Sequence, residues 1–173
     1  MELKVLIDWQ TVQHRVAALA RQIAGDYPGT PPLLVGVLNG AVQFLMDLLG
    51  CMPEEFLAEV EYDFVAVSSY EGRRSRGAVS LTKDLAVEVG GRDVLVVEGI
   101  VDTGLTLQWV LADLAARSPR SVRVCALLDK PSRRRHAVPL DYVGFCIPDV
   151  FVVGCGLDQA QRFRGLRYIG VPE

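Results

Sequence analysis

The first periodic segment of the chain predicts a helix. Behind Asp8, the apolar residues Val12, Val16, Leu19 and Ile23 recur at i, i+4, i+7 and i+11, which aligns them on one helical face, and Asp8 suits the N-cap. Gly25 and Pro28 end the pattern. LLVGVL, residues 33–38, reads as a strand buried on both faces. A short NGA turn then passes to AVQFLMDLLG, a helix stopped at Gly50. EYDFVAVSSY, residues 61–70, predicts another strand, whereas EGRRSRG behind it has no hydrophobic period and predicts a mobile loop. GAVSLTKDL returns as a strand, and GG with Arg92 and Asp93 makes a turn. VLVVEGIV, residues 94–101, is the most apolar strand and belongs at the sheet centre.

After DTG, a helix carries Leu107, Val110, Leu111 and Leu114 on one face, with an Asp113–Arg117 pair at i, i+4 and a stop at Pro119. SVRVCALLDK and DYVGFCI predict further strands. FVVGCGLDQAQRFRGL predicts a short strand and a glycine-rich charged segment. Strands alternating with helices place the fold in the α/β class: a mostly parallel, twisted sheet with helices on both faces, whose ligands are expected at the carboxyl ends of the strands.

Composition narrows this picture. A chain of 173 residues, half of them hydrophobic and 23% charged, with no repeat and no low-complexity linker, predicts a single domain over residues 1–173. The N-terminus lacks the apolar region of a signal peptide and the longest apolar runs are strand-sized, so the expectation is a cytoplasmic protein with no membrane segment. Cys51, Cys125, Cys146 and Cys155 show no paired metal spacing and read as reduced packing residues. His14 and His136 are too few to support a zinc site. A net charge of −3 argues against a general nucleic-acid surface. The basic run SRRRH, residues 132–136, is read as a solvated loop or as a contact to a phosphate or a partner.

The chemistry concentrates at the end of the central strand. DTGLT offers a glycine that lets backbone amides approach an anion, two threonine hydroxyls and a helix N-terminus behind them. Glu98 lies four residues before Asp102 on the same apolar strand, where an uncompensated carboxylate costs several kcal/mol to bury. With no Lys or Arg in the strand, bound metal or sugar hydroxyls are its candidate partners. A phosphate cradle beside acids suited to hydroxyls and Mg²⁺ suggests a ribose phosphate. The chain has no Gly-x-x-x-x-Gly-Lys-Ser/Thr, no Gly-x-Gly-x-x-Gly opening a helix and no Gly-x-Ser-x-Gly, which sets aside ATPase, dinucleotide and serine-hydrolase readings.

VLVVEGIVDTGLTL resembles the 5-phosphoribosyl-1-pyrophosphate (PRPP) signature of type I phosphoribosyltransferases. VLNGA, DFVAVSSY, LLDKPSRR and VGFCIPDVFVVGCGLD extend the likeness, in order, to the bacterial hypoxanthine-guanine branch of that family. The resemblance implies the type I phosphoribosyltransferase fold, with a small hood from the chain ends, and Mg²⁺-dependent transfer of phosphoribosyl to a 6-oxopurine with release of pyrophosphate and a nucleotide. It further implies a homodimer or homotetramer.

By the same resemblance, Asp102, Thr103, Gly104, Leu105 and Thr106 hold the 5-phosphate, Glu98 faces the ribose hydroxyls, and Asp102 is the proton acceptor near purine nitrogen 7. Leu38, Asn39 and Gly40 bind pyrophosphate, with a cis peptide expected at Leu38–Asn39, and Arg164 joins them. Lys130 donates to the 6-oxo group, Phe151 stacks on the purine, Val152 contributes backbone, Ile100 packs on the opposite ring face, and Asp158 with Glu98 reaches Mg²⁺. Ser69 and Tyr70 begin a mobile lid over residues 69–79. Gly99 departs from the family, which carries Asp there, and its presence is expected to remove a ribose-hydroxyl contact. That departure leaves open a catalytically weakened or regulatory PRPP- or nucleotide-binding protein. The basic run leaves open a nucleic-acid-binding regulator on the same fold, using Arg133, Arg134 and Arg135. Cys155 and Gln159 also differ from the family near the purine 2-position.

Overall fold

The computed structural model describes the backbone of residues 2–72 and 75–173, and the side chains of these outside 69–79. In chain order the elements are β1 (Leu3–Ile7), α1 (Trp9–Asp26), β2 (Leu33–Val37), α2 (Val42–Leu49), α3 (Glu54–Leu57) and β3 (Tyr62–Gly72). They continue with β4 (Ser75–Lys83), β5 (Asp93–Val101), α4 (Leu105–Ala116), β6 (Ser121–Asp129), β7 (Tyr142–Cys146) and β8 (Ile169–Pro172). Six strands form one sheet in the order β4-β3-β2-β5-β6-β7, parallel except for the antiparallel edge strand β4. β5 lies inside the sheet between β2 and β6, as its continuous apolar run predicts.

Strand alternation divides the core into two layers. Leu34, Leu95, Val97, Cys125 and Leu127 face a cluster built with α1, α2 and α3. Their neighbours Leu33, Val35, Val94, Val96, Val124 and Ala126 face the cluster under α4, which contributes Leu107, Val110 and Leu114. Helices therefore cover both faces, and the α1 face is the predicted one, with Val12, Val16, Leu19 and Ile23 all buried and Asp8 accepting from Thr11 N at 2.9 Å. The Asp113–Arg117 pair forms at 2.7 Å.

Two segments differ from the sequence reading. The glycine-, serine- and arginine-rich stretch predicted as a loop is strand on both sides, with β3 and β4 paired antiparallel as far as Gly72 opposite Ser75. The pairing is carried by backbone groups, which the missing hydrophobic period does not report. The expected short strand at residues 151–153 is a single bridge between Val153 and Gly170, and the terminal strand lies later, as β8. β8 pairs antiparallel with β1, so the two chain ends build the expected hood. Arg167 beside it lies over the Trp9 ring at 4.7 Å.

β2 has its sequence neighbour β3 on one side and the distant β5 on the other, so the strand order reverses there. A crevice at such a reversal, outside the carboxyl ends of the strands, is where open α/β sheets bind ligands.

Candidate active site

Gly104 shapes the loop between β5 and α4. Its φ of +88° is left-handed, and a Cβ there would lie 2.5 Å from the His136 carbonyl oxygen, so only glycine fits without displacing the chain. Asp102, Thr103, Gly104, Leu105 and Thr106 line one small cleft together with Glu98 and Ile100. The amides that open α4 have no intrahelical acceptor and, with the helix dipole, suit an anion.

The basic run is tied into the fold in part: Arg134 is half-buried, while Arg133 and Arg135 stay exposed. Pro131–Arg133 forms a 3₁₀ turn directly after β6. Arg134 donates to the carbonyls of Asp102 at 3.1 Å and Val101 at 3.2 Å, and pairs with Asp129. The amides of Arg135 and His136 both donate to the Thr103 carbonyl, at 3.0 and 2.9 Å. Residues 134–136 thus brace the back of the cradle loop and satisfy carbonyls that would otherwise compete for its ligand side. Nothing in the spacing of Asp129 and Arg134, five apart across a turn, announces this role. Arg133 turns the other way and donates from Nε to Oδ1 of Asp102 at 2.8 Å, with Asp149 at 3.6 Å from Nη1.

Glu98 is buried, at 8% exposure, and no Lys or Arg pairs with it among the described residues. Its carboxylate accepts from the Gly99 amide at 2.9 Å. Burial pushes its pKa up to about 8, against which the amide bonds of Gly99 and Ile100 act only in part. In the unfolded chain Glu98 keeps its ordinary value of 4.5. Between 4.5 and about 8 the folded protein therefore binds the extra proton, and its stability falls as pH rises. Glu98→Gln keeps the acceptor and removes the titration. The stability of the variant relative to the parent is expected to rise through that window by on the order of 1 kcal/mol per pH unit, measured by urea unfolding at a series of pH values. Parallel pH curves for the two proteins would exclude this effect.

Across the crevice, the β2–α2 turn contains a cis peptide at Leu38–Asn39, as the resemblance implies. Asn39 is exposed, and the Gly40 carbonyl is held between Gly99 and Gly156. A Cβ on Gly99 would lie 2.7 Å from that oxygen, and one on Gly156 would overlap it. The family's Asp could not enter position 99 here without moving the turn.

The residues expected at the purine gather along the carboxyl ends of β5, β6 and β7. Lys130 is buried, at 6% exposure, rather than solvated, and its amide donates to the Val101 carbonyl at 3.0 Å. Phe151 is 56% exposed, an aromatic ring left available for a ligand instead of spent on the core, while Val152 beside it is buried. Ile100 is half-buried and packs against the core. Asp158 and Arg164 form an ion pair at 2.8 Å, and Arg164 also donates to the Gly156 carbonyl at 2.7 Å. The side chains of Ser69 and Tyr70 lie outside the described residues. Among the described residues, no three acidic, histidine or cysteine side chains converge as a metal cage, and no helix is long and apolar enough to cross a membrane.

Comparisons with known proteins identify the family. A family model described as "Phosphoribosyl transferase domain" matches residues 4–160. The hypoxanthine-guanine phosphoribosyltransferase of Mycobacterium avium is 47% identical, covering 96% of this chain and 83% of that one. The bifunctional protein TilS/HprT of Listeria innocua is 46% identical over 97% of this chain, which spans only 26% of the larger protein's length. A crystal structure of a hypoxanthine-guanine phosphoribosyltransferase from Bacillus anthracis superposes with a TM-score of 0.91 at 38% identity, covering 99% of this chain and all of that one. Domain match, identity along nearly the full chain and a shared sheet topology make one conclusion: this protein belongs to the phosphoribosyltransferase family.

Proposed function

We propose that the protein transfers the phosphoribosyl group of PRPP to hypoxanthine or guanine, forming IMP or GMP and pyrophosphate. The observation that supports this reading is the cleft lined by Glu98 and Asp102–Thr106 at the carboxyl end of β5, next to the reversal of strand order. In the reaction the bond from the anomeric carbon to pyrophosphate breaks, its electron pair leaving with pyrophosphate. A bond to purine nitrogen 9 forms, and the purine proton passes to Asp102. Three demands follow: holding the leaving group, tolerating positive charge on the ribose and taking that proton.

The amides opening α4 hold the 5-phosphate, and the Leu38–Gly40 turn with Arg164 receives pyrophosphate. Arg164 reaches that task by exchanging its Asp158 contact for the ligand. The Lys130 ammonium donates to the 6-oxo group and cannot accept from the 6-amino group of adenine, so 6-oxopurines are selected. Phe151 and Ile100 sandwich the ring.

Asp158, a half-buried carboxylate at the edge of the crevice, suits Mg²⁺, which is held by one or two carboxylates, several waters and substrate phosphates. Glu98 fits less well as a direct ligand, since its carboxyl is buried against its own backbone. Bound there, Mg²⁺ supplies charge neutralisation for the leaving pyrophosphate. The segment 69–79 closes over the crevice and excludes water. The protein works in the cytoplasm as a homodimer or homotetramer.

Steady-state assay with PRPP, Mg²⁺ and each of hypoxanthine, guanine, xanthine and adenine tests the reading. Turnover with hypoxanthine or guanine is expected, and turnover with adenine alone would overturn it. Gly99 supports one other reading, a nucleotide-binding protein with little turnover. Nucleotide binding without PRPP-dependent product from any 6-oxopurine would favour that outcome.

A further inference from the structure

We infer that Arg133 is a positioning residue for the transfer step: it fixes Oδ1 of Asp102, presents Oδ2 to the purine, and ties that carboxylate to the segment carrying the stacking ring. The inference rests on the reading of Asp102 as proton acceptor. Three observations carry it. Arg133 Nε donates to Oδ1 of Asp102 at 2.8 Å, and no other donor to the Asp102 carboxylate is present among the described residues. Arg133 Nη1 lies 3.6 Å from Oδ1 of Asp149, two residues before Phe151. Arg133 also closes the 3₁₀ turn that starts behind Lys130, its amide donating to the Lys130 carbonyl at 3.1 Å. One turn of chain therefore delivers two cations: Lys130 for the 6-oxo group and Arg133 for the group that takes the proton.

A carboxylate on a loop is free to rotate about χ2, which exchanges its oxygens. A guanidinium Nε–H directed at Oδ1 removes that freedom and leaves the second oxygen aimed away from the arginine. The pair is open to water, with side-chain exposures of 44% for Arg133 and 41% for Asp102, so it adds little to folding. An ion pair that barely stabilises the fold yet restrains the reacting group has its effect on rate. Asp149 acts as the far stop for the guanidinium, keeping its plane in line with Asp102.

The experiment is a double-mutant cycle on the full chain, with kcat, both KM values and the melting temperature measured for Arg133→Gln, Asp102→Asn and the pair. Arg133→Gln is expected to lower kcat roughly three- to thirty-fold with KM for PRPP and melting temperature unchanged, because orientation of the proton acceptor is lost and the cradle is not. Arg133→Lys, which keeps the charge but not the fixed fork, is expected to recover part of that loss. In the Asp102→Asn background, Arg133→Gln is expected to cost little further, since Arg133 acts through Asp102. If Asp102→Asn is impaired but the Arg133 loss persists in full beside it, or if Arg133→Gln turns over normally, the positioning role falls while the assignment of Asp102 stands. If Asp102→Asn itself turns over at the parent rate, both fall. A kcat loss that tracks a lowered melting temperature would make Arg133 structural and would also overturn the inference.

Discussion

Asp102→Asn is expected to lower kcat by about 10² to 10⁴, the usual contribution of general acid-base help, with KM for PRPP changed by less than about threefold. The substitution is nearly isosteric. The amide oxygen still accepts from Arg133 Nε, and the backbone carbonyl of residue 102 still accepts from Arg134, so the loop keeps its bracing. In the proposed reading the 5-phosphate is held by backbone amides and threonine hydroxyls, which the change does not touch. Only the ability to take a proton and the negative charge facing the ribose are removed. Because the Asp102 side chain is 41% exposed, folding should be unaffected, and an unchanged melting temperature separates a chemical loss from a structural one. A variant with parent kcat and a raised KM for PRPP would instead make residue 102 a phosphate-loop anchor and remove it from the proton transfer.

That prediction could be framed on sequence because β5 is unusually plain: an uninterrupted apolar run, then acids, then a glycine before a helix. Burial on both faces and the left-handed Gly104 are what that pattern demands, and both are found. The α1 face and the α4 ion pair were legible for the same reason, since their determinants lie within a few residues of one another. Features that depend on distant partners were not. The hood joins β1 to β8 across nearly the whole chain, and no local pattern reports which strand end will pair with which. Arg134 reads as one more surface charge until the fold sets it behind Asp102. Glu98 was legible as a costly carboxylate but not as one whose pKa burial raises so far, because that depends on how the elements folded around it exclude water.

Gly99→Asp introduces the carboxylate that the resemblance implies at position 99, and it is expected to impair the protein. The Gly40 carbonyl occupies the space a side chain would need: a Cβ on residue 99 meets the Gly40 oxygen at 2.7 Å and its carbonyl carbon at 3.0 Å, with Leu157 at 3.3 Å. The first two are backbone atoms of the pyrophosphate turn, so the Leu38–Gly40 segment must withdraw. It has little room to do so, because Gly156 also lies close against the same carbonyl. Forcing atoms into such a contact costs typically about 1–3 kcal/mol, and a carboxyl at residue 99 brings a desolvation cost of its own. The expected result is a KM for PRPP raised at least about tenfold, with melting temperature lowered, since displacing a positioning turn by even part of an ångström weakens what it holds. Gly99→Ala supplies the control, carrying the Cβ without the charge. Impairment by both substitutions assigns Gly99 to the close seating of the turn. Improvement of PRPP affinity and kcat by Asp, with Ala neutral, would show that the turn yields easily and that the missing carboxylate is what limits this enzyme.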